Sequence, residues 1–571
     1  MENKSLYEVR EIKDLREMLS QSCEKYADKT AFLVKNKEGG EYVPITYAKL
    51  KKDVDSLGTA LVSLGLKGKR IAVIGENRYE WAVSYLAVVN GAGIAVPIDK
   101  ELPENEIQSL LERSESSAVI YPGKHENTML KISESTPQIK YFIGMDANED
   151  KNRYRSLKNL LDTGSRLIDE GDKEFMEAAI DAEGMSIMLF TSGTTDLSKA
   201  VMLSHKNICA NIMDTAKMVY FDHNDVFLSF LPLHHTYECT CGFLIPVYKG
   251  ATVAYCEGLR HIAKNLKESK ATLMLSVPLL FESMYKRIWD QAAKKPGTVA
   301  KMKIAIKVSN FLRGAFGLNL TKRIFKQLHE MLGGHVRLFV SGAAAIDPLI
   351  AKGFRDFGIH FIQGYGLTEC SPIVTVNRDV CFKDAAAGLP LPSIEVRIDS
   401  PSDEGIGEIV AKGPNVMLGY YNNEEATSKV LKDGWFYTGD LGYIDKDGFV
   451  YITGRKKNVI VTKNGKNIFP EELEALINRS PYIKESMVWG KPDKEGDTVI
   501  CATIVIDKEL LQEKFGDSLT DEQIHSLIDQ EVRAVNKRLT LYKHIREFTV
   551  REQELIKTTT KKVKRHLEMA K

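Results

Sequence analysis

The sequence predicts an α/β protein built from several parts, and three patterns lead to this fold class. The first half of the chain alternates helical and strand patterns, which is typical of parallel sheets with helices on both faces. After about Leu389, short strands are separated by Gly, Pro and Asp-Gly turns, as in a small antiparallel barrel or sheet. Beyond the GRKKN stretch at 454–458, where we expect a domain boundary, the pattern becomes α+β.

The first elements follow from hydrophobic periodicity. Residues 46–64 form an amphipathic pattern that predicts a helix, and RIAVI at 70–74 predicts a strand. A second helix is expected over 81–90 and a second strand over 93–97, where the sequence is GIAVP. This order is that of a parallel α/β sheet.

Later elements are marked by their caps. Residues 185–190 and 201–203 predict two short strands, and Ser204 is expected to cap a helix that begins near His205. In the last part of the chain, Pro470 is followed by two glutamates. Proline in the first turn and acids at the positive end of the helix dipole predict a helix start.

Length and composition limit the class of protein. At 571 residues the chain is too long for one core, so about two to four domains or subdomains are expected. It is 43% hydrophobic and 27% charged, with a net charge of +1, which gives no reason to expect nucleic acid as a partner. The N-terminal segment lacks a secretory signal, and the eight cysteines lack framework spacing. Both observations favour the reducing cytoplasm.

Two cysteines lie beside two histidines in LPLHHTYECTC, where Cys239 and Cys241 follow His234 and His235. Structural zinc sites usually have C-x2-4-C pairs in two separated halves. The C-x-C spacing fits that arrangement poorly, so we expect no zinc site here.

A basic segment covers residues 291–329. It contains no Asp or Glu, and Lys and Arg residues alternate with apolar ones. A basic apolar helix either lies on an anionic membrane surface or packs on the core of its own protein with its charges in solvent. The sequence favours packing, with peripheral contact at the inner face of the membrane as the alternative.

The stretch FTSGTTDLSKAVMLSH, residues 190–205, combines hydroxyls, a glycine and Lys199. It lacks the second glycine and final hydroxyl of a Walker A loop, and it joins two short strands where a Walker A loop opens a helix. Hydroxyls, backbone N–H groups and one ammonium can still hold a polyphosphate. On composition alone, an ordinary polar turn is the simpler interpretation.

Four further motifs change that balance. QGYGLTECSP offers Tyr365 as a ring for a flat base, with a hydroxyl and a carboxylate for Mg²⁺. SGAAAIDP has small residues that let the backbone approach a planar ligand. In WFYTGDLGY, Asp440 can accept two ribose hydroxyls, and in GRKKN, Arg455 can donate to a ribose or phosphate oxygen.

Together and in this order, the motifs resemble those of the adenylate-forming (AMP-binding) superfamily, and especially its bacterial long-chain fatty acyl-CoA synthetases. The resemblance runs from ITYAKL near Ile45 to the C-terminal lysines. It implies an AMP-binding N-terminal domain, residues 1–456, of two helix-flanked sheets plus a small β-barrel subdomain at about 385–454. A mobile α+β C-terminal domain, residues 457–571, is implied to follow.

The resemblance also implies roles for individual residues, in catalysis, in nucleotide, hinge and CoA contacts, and in metal binding. The catalytic residues are Lys199, His235, Glu369 and Lys562; the nucleotide, hinge and CoA contacts are Thr191, Ser192, Gly193, Thr194, Thr195, Ala343, Ala344, Ala345, Tyr365, Gly366, Thr368, Asp440, Arg455, Lys457 and Gly465; and the Mg²⁺ ligands are Thr194 and Glu369.

The chain departs from the superfamily's phosphate loop at three positions, where Asp196, Ser198 and Ala200 replace Gly, Pro and Gly. A carboxylate about 4 Å from a phosphate costs roughly 1 kcal/mol per charge pair in water and about 4 kcal/mol near a protein surface. Aspartate tolerates left-handed backbone and its side chain can turn to solvent or to Lys199, so we expect a competent loop. In the C-terminal motif, Lys561 replaces the usual Gly.

The resemblance implies ATP- and Mg²⁺-dependent activation of a medium- to long-chain fatty acid to acyl-AMP, followed by transfer to CoA. Two alternatives stay open: the adenylate passes to an acyl carrier protein or comes from another carboxylic acid, or the chain is a non-catalytic nucleotide- or lipid-binding relative. Chain length and oligomeric state are not determined by the sequence.

Overall fold

The computed structural model describes residues 5–191, 198–318, 320–462, 466–492, 498–516, 519–557 and 563–569. Within these ranges, two large mixed sheets with helices on their faces are followed by a five-stranded antiparallel sheet and a smaller α+β unit. The predicted fold class is confirmed. None of the helices in the described ranges combines the length and apolarity needed to cross a bilayer.

The α-helices begin and end as follows. They are α1 (Leu15–Tyr26), α2 (Tyr47–Ser63), α3 (Tyr79–Ala87), α4 (Glu104–Arg113), α5 (Glu126–Ser135), α6 (Leu157–Asp169), α7 (His205–Met218), α8 (Ile245–Lys249), α9 (Ile262–Ser269), α10 (Pro278–Ala293), α11 (Thr298–Phe316), α12 (Thr321–Ile324), α13 (Lys326–Met331), α14 (Pro348–Asp356), α15 (Glu424–Val430), α16 (Pro470–Ile477), α17 (Lys508–Phe515), α18 (Asp521–Asn536) and α19 (Arg565–Met569). Two π-helical segments span Val88–Ala92 and Tyr237–Leu244.

The strands of the two large sheets are β1 (Thr30–Lys35), β2 (Tyr42–Thr46), β3 (Lys69–Ile74), β4 (Gly93–Ile98), β5 (Ala118–Tyr121), β6 (Tyr141–Gly144), β7 (Tyr154–Ser156), β8 (Met185–Thr191), β9 (Lys199–Ser204), β10 (Val226–Ser229), β11 (Thr252–Tyr255), β12 (Leu273–Ser276), β13 (Leu338–Ser341), β14 (His360–Gly366), β15 (Ile373–Val376) and β16 (Leu389–Pro390). The remaining strands are β17 (Glu395–Asp399), β18 (Gly407–Lys412), β19 (Gly419–Tyr420), β20 (Leu431–Lys432), β21 (Trp435–Ile444), β22 (Val450–Arg455), β23 (Ile460–Val461), β24 (Asn467–Ile468), β25 (Ile483–Pro492), β26 (Thr498–Ile506) and β27 (Ile545–Arg551).

The first large sheet has nine strands in the order β16-β15-β14-β13-β12-β10-β11-β1-β2. Its central pairs, from β14 to β1, are all parallel, and antiparallel strands close both edges. The second has eight strands in the order β19-β9-β8-β4-β3-β5-β6-β7, parallel from β8 to β7. Parallel strands aligned in this way bring their carboxyl ends, where ligands commonly bind, to one edge.

The two large sheets share one core. Alternate residues of β3, Ile71 and Val73, join the same buried cluster as Phe227 of β10. Because successive strand residues face opposite sides, Ala72 and Ile74 pack into a second cluster, and Leu228 into a third. The sheets therefore pack on opposite sides of one helix-containing layer, and each has a separate apolar layer on its outer face.

The individual elements predicted from the sequence are confirmed, with some ends shifted by two or three residues. The helix expected over 81–90 begins at Tyr79 and ends at Ala87, where the π-helical segment Val88–Ala92 takes over. Gly91 within this segment has a φ of 139°, which an L side chain rarely adopts. The helix therefore ends before the strand β4, and periodicity alone could not show this backbone change.

The basic segment is the second difference. It is not one helix, because Gly297 and Gly317, both with left-handed φ, delimit α11, and the short helices α12 and α13 follow. One side of α11 packs against α10 and α14 through Met302, Ala305 and Ile306. The predicted packing on the protein's own core is therefore correct for one face of α11.

The C-terminal unit has its own core. The sheet β25-β26-β27 packs with α16 and α18 around a cluster that includes Leu473 and Ile528. Among the described residues, two ion pairs connect this unit to helices that flank the nine-stranded sheet. Arg479 bonds the carboxylate of Asp347 at 2.7 Å, and Lys286 bonds Asp507 at 2.8 Å.

Candidate active site

The β8–β9 hairpin carries the predicted phosphate loop. Thr191 and Lys199 face each other in its register, and the Thr191 hydroxyl donates to the Lys199 carbonyl at 3.4 Å. Ser192, Gly193, Thr194, Thr195 and Asp196 lie outside the described residues. The two described ends therefore start and finish the loop on adjacent strands of the eight-stranded sheet.

An arginine that the sequence analysis did not identify supports the end of this loop. Arg113, at the end of α4, donates from Nη1 to the Ser198 hydroxyl at 3.1 Å and also bonds the Ser198 carbonyl. Its guanidinium lies over the Phe190 ring, 5.3 Å from the centroid. Ser198 occupies the position where the superfamily has proline, whose ring restrains the backbone. Here the hydrogen bonds from Arg113 restrain this position instead.

Tyr420 brings Lys199 and Glu369 together. The Lys199 ammonium lies 4.7 Å from the centroid of the Tyr420 ring, and the Tyr420 hydroxyl donates to Glu369 Oε1 at 3.0 Å. Burial and the Glu369 carboxylate raise the pKa of Tyr420, so its hydroxyl stays a donor at neutral pH. The predicted phosphate-binding lysine and the predicted metal-binding carboxylate therefore share one tyrosine.

Strand β14 delivers the YGLTE motif to the edge of the nine-stranded sheet. Tyr365 is 8% exposed and lines a cleft with Gly366 and Thr368. A Cβ on Gly366 would lie 2.0 Å from the Pro372 carbonyl oxygen, so only glycine fits this close approach of backbone to backbone. The glycine thus fixes the turn that takes the chain from the strand to Thr368 and Glu369.

Asp440 and Arg455 are opposite each other on β21 and β22. The Asp440 carboxylate lies 3.2 Å from Arg455 Nε and accepts a hydrogen bond from the Tyr365 hydroxyl at 2.8 Å. Burial and Asp440 raise the pKa of Tyr365 well above its ordinary value, which keeps the hydroxyl protonated. The predicted ring and the predicted ribose pair therefore form one connected group.

The cleft also receives two other predicted motifs. His235 and Ala343 line it beside Tyr365, and it has about 940 Å³ of free space, including its opening to solvent. Ala343, Ala344 and Ala345 are exposed, and Ala343 has a φ of 70°. That left-handed conformation is uncommon for a residue with a side chain. Of the three alanines, Ala343 lines the cleft, and Ala344 and Ala345 are not among its lining residues.

Much of the cleft is lined by apolar side chains. They come from the chain just after α7, from the start of α8 and from the nine-stranded sheet. These residues are Val219, Phe221, Ile245, Leu275, Val340, Ile362, Ile373 and Val376. A cleft lined by both nucleotide-type residues and apolar side chains suits an amphipathic ligand.

The neighbours of His235 are buried and uncharged. The rings of His234 and His235 lie 4.0 Å apart, and burial lowers the pKa of His234 to about 3. Cys239 and Cys241 are buried in the shared core. Glu238, 1% exposed, accepts a hydrogen bond from Ser229, and burial raises its pKa to about 8. The ionisable groups buried next to His235 are therefore neutral near pH 7.

The remaining predicted residues lie toward the C-terminal unit. Lys457 is exposed in the 3-10 turn Lys456–Asn458, which follows β22. Gly465 and Lys562 lie outside the described residues. The structure thus brings five of the predicted residues, His235, Ala343, Tyr365, Gly366 and Thr368, to one cleft. Asp440 and Arg455 join this cleft through Tyr365. The functional roles of individual residues stay predictions.

Comparison with known proteins places the whole chain in one family. The sequence profile described as AMP-binding enzyme matches residues 19–421, and the profile described as AMP-binding enzyme C-terminal domain matches residues 457–570. The chain belongs to the AMP-binding enzyme family. The superfamily resemblance stated from the motifs is confirmed.

Curated relatives of this AMP-binding enzyme include acyl-CoA ligases. It is 29% identical to long-chain-fatty-acid–CoA ligase FadD15 of Mycobacterium bovis, over 92% of this chain and 90% of that protein. It is also 29% identical to long-chain-fatty-acid–CoA ligase 6 of Mus musculus, over 82% of this chain and 70% of that one.

Solved structures give the same fold. The anthranilate CoA ligase AuaEII in complex with anthranoyl-AMP matches with a TM-score of 0.76 at 20% identity, over 100% of this chain and 98% of that one. ATP-bound MatB from Rhodopseudomonas palustris matches with a TM-score of 0.74 at 25% identity, over 97% and 98%. With the family and the relatives, the protein is an adenylate-forming, ATP-binding acyl-CoA ligase.

Proposed function

We propose that this ligase activates a medium- to long-chain fatty acid as its acyl-adenylate and transfers the acyl group to CoA. One observation carries the proposal: a single cleft is lined both by Tyr365 and Ala343 and by apolar side chains. An alkyl chain against those apolar side chains gains about 0.8 kcal/mol per buried methylene. The two long-chain-fatty-acid–CoA ligases among the relatives support the same substrate class.

The chemistry requires activation of a poor acyl donor. A carboxylate repels an incoming thiolate and has no usable leaving group. Its attack on the α-phosphate of ATP forms an acyl–phosphate bond and releases pyrophosphate. The thiol sulfur of CoA then attacks the acyl carbon, and AMP leaves with the electron pair of the broken C–O bond. Groups that stabilise charge on the phosphates accelerate the first step.

Among the described residues, we assign Lys199 and Glu369 to the stabilisation of negative charge on the phosphates. Lys199 ends the hairpin loop, and its ammonium contacts the same Tyr420 that donates to Glu369. Carboxylate and hydroxyl oxygens suit Mg²⁺, so Glu369, with Thr194 of the loop, fits as its ligand set. Bound Mg²⁺ would supply charge neutralisation to the phosphates. Tyr420 positions the carboxylate toward the loop.

The adenosine is held by the connected group around Tyr365. The Tyr365 ring lines the cleft together with Ala343, and the Tyr365 hydroxyl donates a hydrogen bond that positions the Asp440 carboxylate. An ionised carboxylate has acceptor capacity for further hydrogen bonds after those from Tyr365 and Arg455, so Asp440 can accept the two ribose hydroxyls. His235 lines the same cleft, and we assign it to the position beside the reacting carboxylate.

The second half-reaction needs a different set of groups from the C-terminal unit. We assign Lys562 to adenylation, Gly465 to the entrance for the thiol and Lys457 to the hinge about which the unit turns. When the C-terminal unit turns, the segment with Lys562 leaves the cleft and the segment with Gly465 takes its place, so that one cleft can carry out two reactions. The ion pair between Arg479 and Asp347 supports a defined docking position for this unit.

The decisive experiment measures pyrophosphate release with saturated fatty acids of increasing length, with and without CoA. We expect release with medium and long acids and a matching amount of acyl-CoA. Asp440→Asn should weaken the reaction, while Asp433→Asn, at an exposed turn of the same five-stranded sheet, should not. No release with any acid would point to a non-catalytic nucleotide- or lipid-binding relative and refute the proposal.

An acyl carrier protein is the alternative acceptor. The chain is 26% identical to the long-chain-fatty-acid–[acyl-carrier-protein] ligase AEE15 of Arabidopsis thaliana, over 90% of this chain and 78% of that protein. Both acceptors present a phosphopantetheine thiol to the same adenylate. Acyl transfer to a carrier protein without transfer to CoA would replace CoA by the carrier and leave the adenylation step unchanged.

A further inference from the structure

Helix α11 has two apolar faces, and only one of them is covered. The inner face packs on the core through Met302, Ala305 and Ile306. On the opposite side, Ile304 and Phe311 are 62% and 65% exposed. A helix on the surface of a globular protein usually has one apolar stripe, which faces the core. The second stripe of α11 is therefore unexplained by the fold.

The spacing makes the outer stripe continuous. Ile304, Val308 and Phe311 are four and three residues apart, so their side chains lie in one row along the helix. Val308 is 48% exposed. The exposed apolar surface continues through the last residue of α11 and into the chain that follows it, with further side chains at least 37% exposed. These are Phe316, Leu318, Leu320, Ile324 and Met331.

Cations surround this row. Lys301 and Lys307 lie three residues before Ile304 and three after it, so they flank the stripe on its two sides. All the Lys and Arg side chains of the same surface are exposed. They are Lys301, Lys303, Lys307, Arg313, Lys322, Arg323 and Lys326. Within the described part of residues 298–331, one ion pair forms, between Lys326 and Glu330 at 3.6 Å. The remaining charges face solvent.

We propose that the basic apolar surface, defined as the exposed side chains of 301–318 and 320–331, docks on an anionic lipid bilayer. Exposed aliphatic and aromatic side chains enter the boundary between headgroups and acyl chains, while flanking lysines and arginines contact anionic headgroups. The helix would lie flat along the interface, with its inner face still packed on the protein.

The positive charge of this surface favours an anionic bilayer over a second copy of the chain as its partner. Two copies facing each other through this surface would bring seven cations against the same seven, with Glu330 as the acid of α13. Like charges brought together oppose association. An anionic bilayer offers opposite charge and an apolar interior together. The proposed docking therefore accounts for both the exposed stripe and its basic border.

The use of this surface rests on the proposed function, whereas docking itself does not. A fatty acid of long chain partitions into a bilayer, so a ligase held there meets its substrate at high local concentration. Helix α11 packs on α10 and α14, and α14 follows directly after the loop that contains Ala343. The docked surface thus lies one helix layer away from the elements that border the cleft.

The direct test is flotation of the full-length protein with lipid vesicles. Vesicles that contain phosphatidylglycerol and phosphatidylcholine should carry the protein upward, and vesicles of phosphatidylcholine alone should carry much less. Raising the salt concentration should reduce binding, because the headgroup contacts are screened. Equal flotation with both vesicle types, or none with either, would overturn the proposal.

Two variants separate the charge from the apolar contribution. Neutralising Lys303, Lys307 and Arg323 to glutamine should weaken binding by about a hundredfold, because each cation near an anionic surface contributes about fivefold. Val308→Ser with Phe311→Ser should weaken it at least about tenfold. Matched controls are the exposed pair Lys140→Gln and Lys158→Gln, and Leu541→Ser, which is 78% exposed. Weakening by the controls as large as that by the surface variants would refute the assignment.

A kinetic comparison distinguishes this inference from the proposed function. The Val308→Ser, Phe311→Ser variant should retain the parent rate with a medium-chain acid in solution and lose rate when a long-chain acid is supplied in anionic vesicles. An inactive parent enzyme would contradict the proposed function but leave the flotation result standing. A variant that loses both rates equally, with flotation unchanged, would contradict the docking surface alone.

Discussion

The hydrogen-bonded group at Asp440 gives the sharpest test of the nucleotide site. Its carboxylate side chain is 7% exposed, lies 3.2 Å from Arg455 Nε and accepts from Tyr365 at 2.8 Å. We assign the two ribose hydroxyls to the same carboxylate. Asp440→Asn keeps the shape of the side chain but removes the charge and replaces one acceptor by a donor.

The expected loss can be worked from these contacts. A hydrogen bond to a charged group contributes about 1.5–3 kcal/mol, and asparagine retains one of the two acceptor oxygens of Asp440. Losing one charged bond to the ribose therefore weakens nucleotide binding about ten- to hundredfold, at about 1.4 kcal/mol per tenfold. Tyr365→Phe should have a smaller effect, because the ring stays in the cleft and only the positioning hydroxyl is removed.

The assay is equilibrium binding of ATP and of AMP without acid substrate, followed by pyrophosphate release with a fatty acid. Asp433→Asn serves as the control, since Asp433 lies in an exposed turn of the same five-stranded sheet. Urea denaturation establishes that each variant is folded. Should Asp440→Asn bind ATP within twofold of the parent, the assignment of the ribose to Asp440 is wrong.

Four further outcomes are expected. Lys562→Ala should abolish adenylate formation but leave thioester formation from a supplied acyl-adenylate. Arg479→Ala should change the ratio of the two half-reaction rates about 1.5- to fivefold, because an exposed ion pair of the kind Arg479 forms with Asp347 contributes about 0.2–1 kcal/mol. In the parent, the free energy of unfolding should fall between about pH 5 and 8, because Glu238, with its pKa raised to about 8 by burial, is neutral in the folded state but ionised in the unfolded state. Glu238→Gln should remove this fall. Trp81→Ala, at a fully buried side chain, should destabilise the fold by about 3–5 kcal/mol.

Each of these expectations has its own control. Lys561→Ala should leave adenylation intact; equal loss of both half-reactions in Lys562→Ala would contradict its role. Arg479→Lys should keep most of the parent ratio. Urea unfolding at pH 5 and at pH 8 compares Glu238→Gln with the parent, and parallel pH slopes would show that Glu238 does not titrate as described. For Trp81→Ala, an unchanged urea midpoint would contradict the burial argument.

Three motifs of the candidate site lie where a strand ends. Thr191 ends β8, Ser341 ends β13 and Gly366 ends β14. Periodicity predicted the strand before Thr191, whereas the motifs at Ser341 and Gly366 were identified through the superfamily resemblance. The apolar lining of the cleft could not be separated from ordinary core, because both consist of the same apolar residues.

Contacts made across the fold could not be predicted. Tyr420 belongs to a two-residue strand without a motif of its own, and its link between Lys199 and Glu369 depends on pairing with β9. Arg113 likewise reaches Ser198 only through the packing of α4 on the second sheet. The outer stripe of α11 was visible as apolar residues, but which of its two faces is covered depends on tertiary packing.

Asp347 connects the C-terminal unit to the loop that contains Ala343, which we assign to the nucleotide site. Its carboxylate receives both the first amide of α14, through Leu349, and the guanidinium of Arg479. The turn just before it contains Ala343, whose backbone is already in an uncommon conformation. Residues 343–347 therefore border the cleft at one end and hold the C-terminal unit at the other.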